Sequence, residues 1–194
     1  MLFRSVVDSL GAPGEWQELP TPVLETVTSL AFAIDAKDHY TQGHSQNVAR
    51  YCLHLARHLN VSEKEIEEVR LAAVLHDVGK IGVPERLLNK PGPLDADEFE
   101  QMKQHSVLGA KILEPLRSIQ NIQKIVRHHH ERWDGSGYPD GLKGETIPLA
   151  SRMIGIADAY DTMVTERTYK RSRTRQEAYE ERSEERRVGK ECRL

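Results

Sequence analysis

Three consecutive histidines, His128 to His130, run directly into ERWDGSGYPDG, a stretch with three glycines and a proline. Imidazole nitrogens are common ligands of first-row metals, so the run is a candidate metal site as well as a candidate solvated patch. Its internal position, after the amphipathic IQNIQKIVR, argues against a purification tag. In that helix Ile119, Ile122, Ile125 and Val126 form the apolar stripe. At about 100° per residue, His129 falls roughly 30° from the centre of the stripe, His130 about 70° and His128 about 130°. His129 and His130 are therefore expected to face inward, and His128 outward.

Other chemistry-bearing residues lie in apolar company. His76-Asp77 closes EKEIEEVRLAAVLHD, beside Leu71, Val74 and Leu75. An ionised carboxylate there is costly unless it is paired or metal-bound. Asp158 repeats the situation within RMIGIADAYDTM, where Met153, Ile154, Ile156 and Ala157 leave Asp161 as the polar neighbour. Two buried aspartates on separate helices call for a shared cation. His44, in YTQGHSQNVARY near Val48 and Cys52, reads alone as a satisfied core histidine. So does His105, in MKQHSVLGAKIL with Val107, Leu108 and Ile112. His39, His54 and His58 read as surface or capping residues. Together His44, His76, Asp77, His105, His129, His130 and Asp158 make five imidazoles and two carboxylates, too many for one tetrahedral zinc. They suit two first-row ions with one carboxylate bridging. No cysteine accompanies them, which argues against a structural zinc or iron–sulfur site.

Helices must position these groups. Periodicity predicts helices over Pro22–Ala36, Gln42–Leu59 and 63–77, the last capped by Ser62 with Glu65 at the capping-box position. Further helices are predicted over Asp95–Leu116, Ile119–His130 and Pro148–Val164, with no credible strand. KIGVPERLLNKPGPL, with three prolines and two glycines, reads mostly as an ordered loop, and 131–147 as a second one. The expectation is one all-α bundle with two long loops. At 194 residues, 38% hydrophobic, 29% charged and net charge -3, nothing points to a nucleic-acid polymer or an acidic membrane surface. No apolar run approaches the roughly 18 residues of a membrane span, and no signal-peptide pattern opens the chain. Two cysteines make no disulfide framework, which fits a reducing cytosol and a cytoplasmic location.

Taken together, YTQGHS (40–45), HDVGKIGVP (76–84), LNKPGPL (88–94), HHERWDGSGYPDGLKGETIP (129–148) and IADAYDTM (156–163) resemble the HD-GYP family of metal-dependent phosphodiesterases. The resemblance runs from about Ala33 to Thr174, and the block from His129 to Pro139 is its most specific part. It implies an HD-domain-like helical bundle with an ordered GYP loop that hydrolyses cyclic di-GMP to pGpG, and on a second cut to GMP. The seven residues match the family's metal-binding positions, with Asp77 bridging two divalent ions, iron or manganese. Lys80 matches the lysine near the scissile phosphate and joins Asp77 as catalytic. Arg167 and Lys170 fall where the family anchors phosphate and guanine, and Gly137 and Tyr138 belong to the GYP loop. Members with three metals place a glutamate four residues before the first ligand histidine. Tyr40 stands there, so two ions are expected unless Asp35 or Asp38 supplies a third site. The chemistry implied is two-metal activation of water for in-line attack at phosphorus. Implied partners are cyclic di-GMP, an upstream sensory or receiver domain and a diguanylate cyclase domain. Two alternatives stay open: hydrolysis of another cyclic dinucleotide or nucleotide, and a non-catalytic module binding cyclic di-GMP or a partner.

The ends carry a separate signal. AGATCGGAAGAG encodes Arg182-Ser183-Glu184-Glu185, and its reverse complement CTCTTCCGATCT encodes Leu2-Phe3-Arg4-Ser5. Residues 1–5 and 182–194 are therefore expected to be translated sequencing adapter. Residues 6–21 are then a linker or remnant of an upstream region, and 22–181 an HD-GYP domain whose last helices lie beyond. Cys192 would carry no biology. Resequencing the source locus is expected to give different codons after Glu181; the same tail in genomic DNA would refute the adapter origin.

Overall fold

The structure is a computed structural model that describes residues 43–116 and 119–165, with individual positions between 26 and 37 and between 173 and 181. The described positions of the expected Pro22–Ala36 helix are helical, with Ala31 and Ile34 in the core; its other residues lie outside the described ones. Helix α1 spans His44–His58. It begins two residues later than the periodicity suggested because Gly43 takes a left-handed φ of 78°. Helix α2 spans Glu63–Leu75 behind the expected capping box: Ser62 Oγ accepts from the Glu65 amide, and Glu65 accepts from the Ser62 amide. It stops two residues short of Asp77, with His76 as its C-cap, since the chain tightens into a 3-10 turn over Val78–Gly82.

The expected loop over 80–94 is more structured than its prolines implied, because helix α3 occupies Glu85–Leu88. Pro84 sits at its N-cap, where a missing N–H breaks no helical hydrogen bond. Helix α4 covers Ala96–Leu113, started by a capping box between Asp95 and Glu98. Helix α5 covers only Gln120–Arg127, so the three histidines form the turn that follows it rather than its last turn. Helix α6 covers Leu149–Val164, with a short 3-10 turn at Gly144–Thr146 before it. No strand occurs among the described residues, so the all-α expectation holds.

Helix α2 is the centre of the bundle, packed on α1, α5 and α6. This is why its second half is apolar nearly all round: Val69 and Leu71 to Leu75 are all buried, and Arg70 is buried among them. Val48, Cys52 and Ala56 of α1, Ile122, Ile125 and Val126 of α5, and Met153, Ile154 and Ala157 of α6 complete the core. A smaller cluster of Val83, Leu87 and Leu88 against Met102 seats α3 on α4.

The 3-10 turn also presses onto α4, at a contact that only glycine allows. A Cβ on Gly79 would stand 1.8 Å from the His105 carbonyl oxygen and 2.5 Å from the Gly109 amide nitrogen. Those neighbours are backbone and cannot swing aside. Gly79→Ala is therefore expected to lower stability by about 3 kcal/mol, at the upper end of overpacking costs. Urea unfolding checks this; a loss below about 1 kcal/mol would show that the turn and α4 can separate cheaply.

Candidate metal centre

Three of the five histidines are oriented by the same local device. The Nδ1 of His76 lies 2.7 Å from Ala73 O, that of His105 2.8 Å from Met102 O, and that of His129 2.6 Å from Val126 O. A carbonyl oxygen can only accept, so each Nδ1 carries the proton and donates. In the neutral rings each Nε2 is then a bare lone pair. These lone pairs converge. His105 Nε2 lies 3.3 Å from His129 Nε2 and 3.2 Å from His130 Nε2. His76 Nε2 is buried without a hydrogen-bond partner. The bare nitrogens of His105 and His129 cannot hydrogen-bond to each other, and a cation beside them resolves the conflict. The donor set thus fits a metal.

The ligand atoms fall into two groups, His44, His76 and Asp77 in one and His105, His129 and His130 in the other, each within 4.8 Å of one another. Asp77 stands between them. Its Oδ2 is 3.4 Å from His76 Nε2 and its Oδ1 3.5 Å from His105 Nε2, so one oxygen faces each group. Asp158 closes the first group, with Oδ1 3.1 Å from His44 Nε2. All seven sequence-predicted ligands are therefore brought together. Asp158 is less enclosed than its apolar neighbours in sequence implied, with 21% of its side chain exposed; the fully buried carboxylate of α6 is Asp161. Three residues on, Asp161 faces the same histidine, its Oδ2 2.7 Å from His44 Nδ1. It fixes the ring as the backbone carbonyls fix the others. Sequence reasoning noticed Asp161 only as a polar neighbour.

The electrostatics divide the same way. Burial first, then neighbouring imidazoles, hold His129 well below the ordinary histidine value. Burial likewise lowers His105, and takes His130 down to about 3 with His105 adding to the effect. Burial also opposes charge on His44, but its hydrogen bonds to Asp158 and Asp161 prevail and raise it to about 10. For Asp77 burial is outweighed by Lys80, His76, His105 and His44, which keep it ionised. Lys80 Nζ lies 2.7 Å from Asp77 Oδ2. A residue the sequence did not single out secures that turn: Lys37 Nζ donates to the carbonyls of Lys80, Ile81 and Val83 at 3.2, 3.0 and 2.8 Å.

The loop after the histidines is held by its backbone. Glu131 is buried, and its carboxylate accepts from the amides of Asp140 at 2.8 Å and Leu142 at 3.0 Å. Arg127 grips the Asp140 carboxylate with two nitrogens at 2.8 and 2.7 Å, and His128 Nε2 joins at 2.8 Å. His128 thus points away from the ligand cluster as expected, but it is an anchor of the loop and not a bystander. Gly135 has a φ of 83°. Gly137 is required by proximity instead: its Cβ would meet the Arg132 amide nitrogen at 2.3 Å. The Tyr138–Pro139 bond is cis, and the Tyr138 ring lies 4.7 Å from His130 at an interplanar angle of 30°. Tyr138 therefore flanks the centre. Arg167 and Lys170 lie outside the described residues, as do Asp35, Asp38, His39 and Tyr40.

Comparison with known proteins bears on this arrangement. The sequence pattern of the HD domain family matches residues 29–189. A cyclic di-GMP phosphodiesterase of Thermotoga maritima is 41% identical over 169 residues, covering 86% of this chain and 45% of that protein. A 3'3'-cGAMP-specific phosphodiesterase of Vibrio cholerae is 42% identical over 159 residues, covering 81% of this chain and 30% of that protein. The solved structure of Bd1817, an HDG"Y"P protein of Bdellovibrio bacteriovorus, superposes with a TM-score of 0.63 at 25% identity, covering 76% of this chain and 47% of that one. The chain thus spans less than half the length of these relatives.

Metal uptake is coupled to a proton on His44. Asp77 and Asp158 are held ionised, and His105, His129 and His130 neutral, so none of them releases a proton near pH 7. His44, raised to about 10, must give up its proton to offer Nε2 to a metal. Release of at least the His44 proton is expected at pH 7, with affinity weakening as pH falls. Calorimetry of Mn(II) binding in buffers of different ionisation enthalpy measures it; zero protons would refute the state assigned to His44.

Proposed function

Because the chain belongs to the HD domain family, we propose that it is a metal-dependent phosphodiesterase of the HD-GYP type that hydrolyses cyclic di-GMP to pGpG, and on a second cut to GMP. The observation that carries this reading is the placement of Asp77 between two groups of histidines, among which His76, His105 and His129 present bare Nε2 atoms. His44, His76, Asp77 and Asp158 would hold one divalent ion, and Asp77, His105, His129 and His130 the other; iron or manganese suits this nitrogen–oxygen donor set. Bound there, the ions supply Lewis acidity that lowers the pKa of a shared water and offsets charge on a phosphate.

The protein's own part is positional. Backbone carbonyls and Asp161 fix the rings, so little reorganisation accompanies binding. Lys80, set on a turn whose carbonyls Lys37 secures, places an ammonium beside Asp77, where charge builds on the phosphoryl oxygens. Hydrolysis forms a P–O bond from water and breaks the bond to the ribose 3′ oxygen, which leaves with a proton. Gly137 and Tyr138 would border the substrate beside His130, and Arg167 and Lys170 are assigned to substrate phosphate and guanine. A cytoplasmic location, an upstream sensory or receiver domain and a cyclase-domain partner belong to the same reading. No helix among the described residues is long and apolar enough to cross a membrane. The similarity to a 3'3'-cGAMP-specific enzyme favours a second reading, in which the same centre cleaves a mixed cyclic dinucleotide.

His76→Ala and Asp77→Ala are each expected to abolish turnover of cyclic di-GMP and to lower bound metal. Product chromatography with metal analysis on the same samples tests both. Turnover near the parental rate in either variant would end the metal hypothesis.

A further inference from the structure

One turn apart on α4, Phe99 and Lys103 both reach the loop residue Tyr138. Phe99 is 45% exposed, and it belongs to neither core cluster. Its ring meets Tyr138 edge-on, with centroids 6.3 Å apart and planes at 83°. Lys103 Nζ lies 5.0 Å from the Phe99 centroid and 5.8 Å from that of Tyr138. Tyr138 in turn stacks on His130 at 4.7 Å. An aromatic path therefore leads from the metal centre to solvent, with an ammonium beside it.

Resting on the phosphodiesterase reading, we propose that Phe99, Tyr138 and Lys103 form a nucleobase subsite next to the scissile phosphate, and that Lys103 selects guanine there. Every base has a π-face, so aromatic rings bind bases through stacking with little regard to identity. The selection comes from the lysine. An ammonium has three donors and no acceptor. Guanine presents two acceptors, N7 and O6, on one edge, whereas adenine presents N7 beside the N6 donor. An ammonium facing that edge is satisfied twice by guanine and opposed once by adenine. Lys103 also pairs with Glu100, whose side chain is 65% exposed. Such exposed pairs contribute little, so turning the ammonium toward a base costs little.

The test uses the Mn(II)-loaded chain, with kcat and KM for cyclic di-GMP and competitive inhibition by cyclic di-AMP, in Phe99→Ala, Phe99→Tyr and Lys103→Met. Bound metal and melting temperature are expected to match the parent in all three. Phe99→Ala should raise KM for cyclic di-GMP about tenfold with a much smaller change in kcat, and Phe99→Tyr should restore it. Lys103→Met should raise KM for cyclic di-GMP several-fold while leaving inhibition by cyclic di-AMP unchanged. Unchanged KM in Phe99→Ala, with the parent active, overturns the subsite and leaves the phosphodiesterase reading standing. Equal weakening of both nucleotides in Lys103→Met overturns the selection of guanine. A metal-loaded parent that cleaves no cyclic dinucleotide refutes the phosphodiesterase reading, and this proposal with it.

Discussion

Much of this molecule follows from one hydrogen-bonding choice made three times. At His76, His105 and His129 the ring nitrogen nearer the backbone donates to the carbonyl three residues earlier, which turns the far nitrogen outward as an acceptor. Each bond is local and needs only a helical turn to form. Their joint consequence is not local, since it drives lone pairs from α2, α4 and the end of α5 into one small volume. Without a cation, that volume is repulsive. The fold therefore spends stability on assembling it, and metal binding should couple favourably to folding.

The rest of the architecture withstands that repulsion. Helix α2 is buried on nearly every side, so His76 and Asp77 at its end have little freedom to retreat. The contact of Gly79 with the backbone of α4 holds His105 at a set distance from Asp77. Asp161 restrains His44 from α6. The candidate site is braced because His44, His105 and Asp158 sit on core-packed helices, His76 and Asp77 at the end of α2, and His129 and His130 in the turn that closes α5.

Legibility in the sequence followed the range of the interaction. The inward phase of His129 and His130 could be read from the stripe of Ile122, Ile125 and Val126, although α5 ends at Arg127. The turn after it stays close enough to helical for His129 to reach Val126 O. Ser62 and Glu65 were equally legible, being three residues apart. The role of Asp161 was not, because its partner His44 is 117 positions away. Glu131 was hidden differently: its partners are backbone amides, which leave no mark on residue type. Helix α3 was missed because Pro84 reads as a breaker in sequence, while at an N-cap it is compatible with a helix.

The way Glu131 holds its loop has an evolutionary consequence. A carboxylate that grips main-chain amides fixes the course of the chain without prescribing which side chains that chain displays. Outward positions such as Ser136, Lys143 and Glu145 can drift while the path beneath them stays constant. Descendants of such a domain could acquire new surface chemistry on this loop and inherit an undisturbed interior.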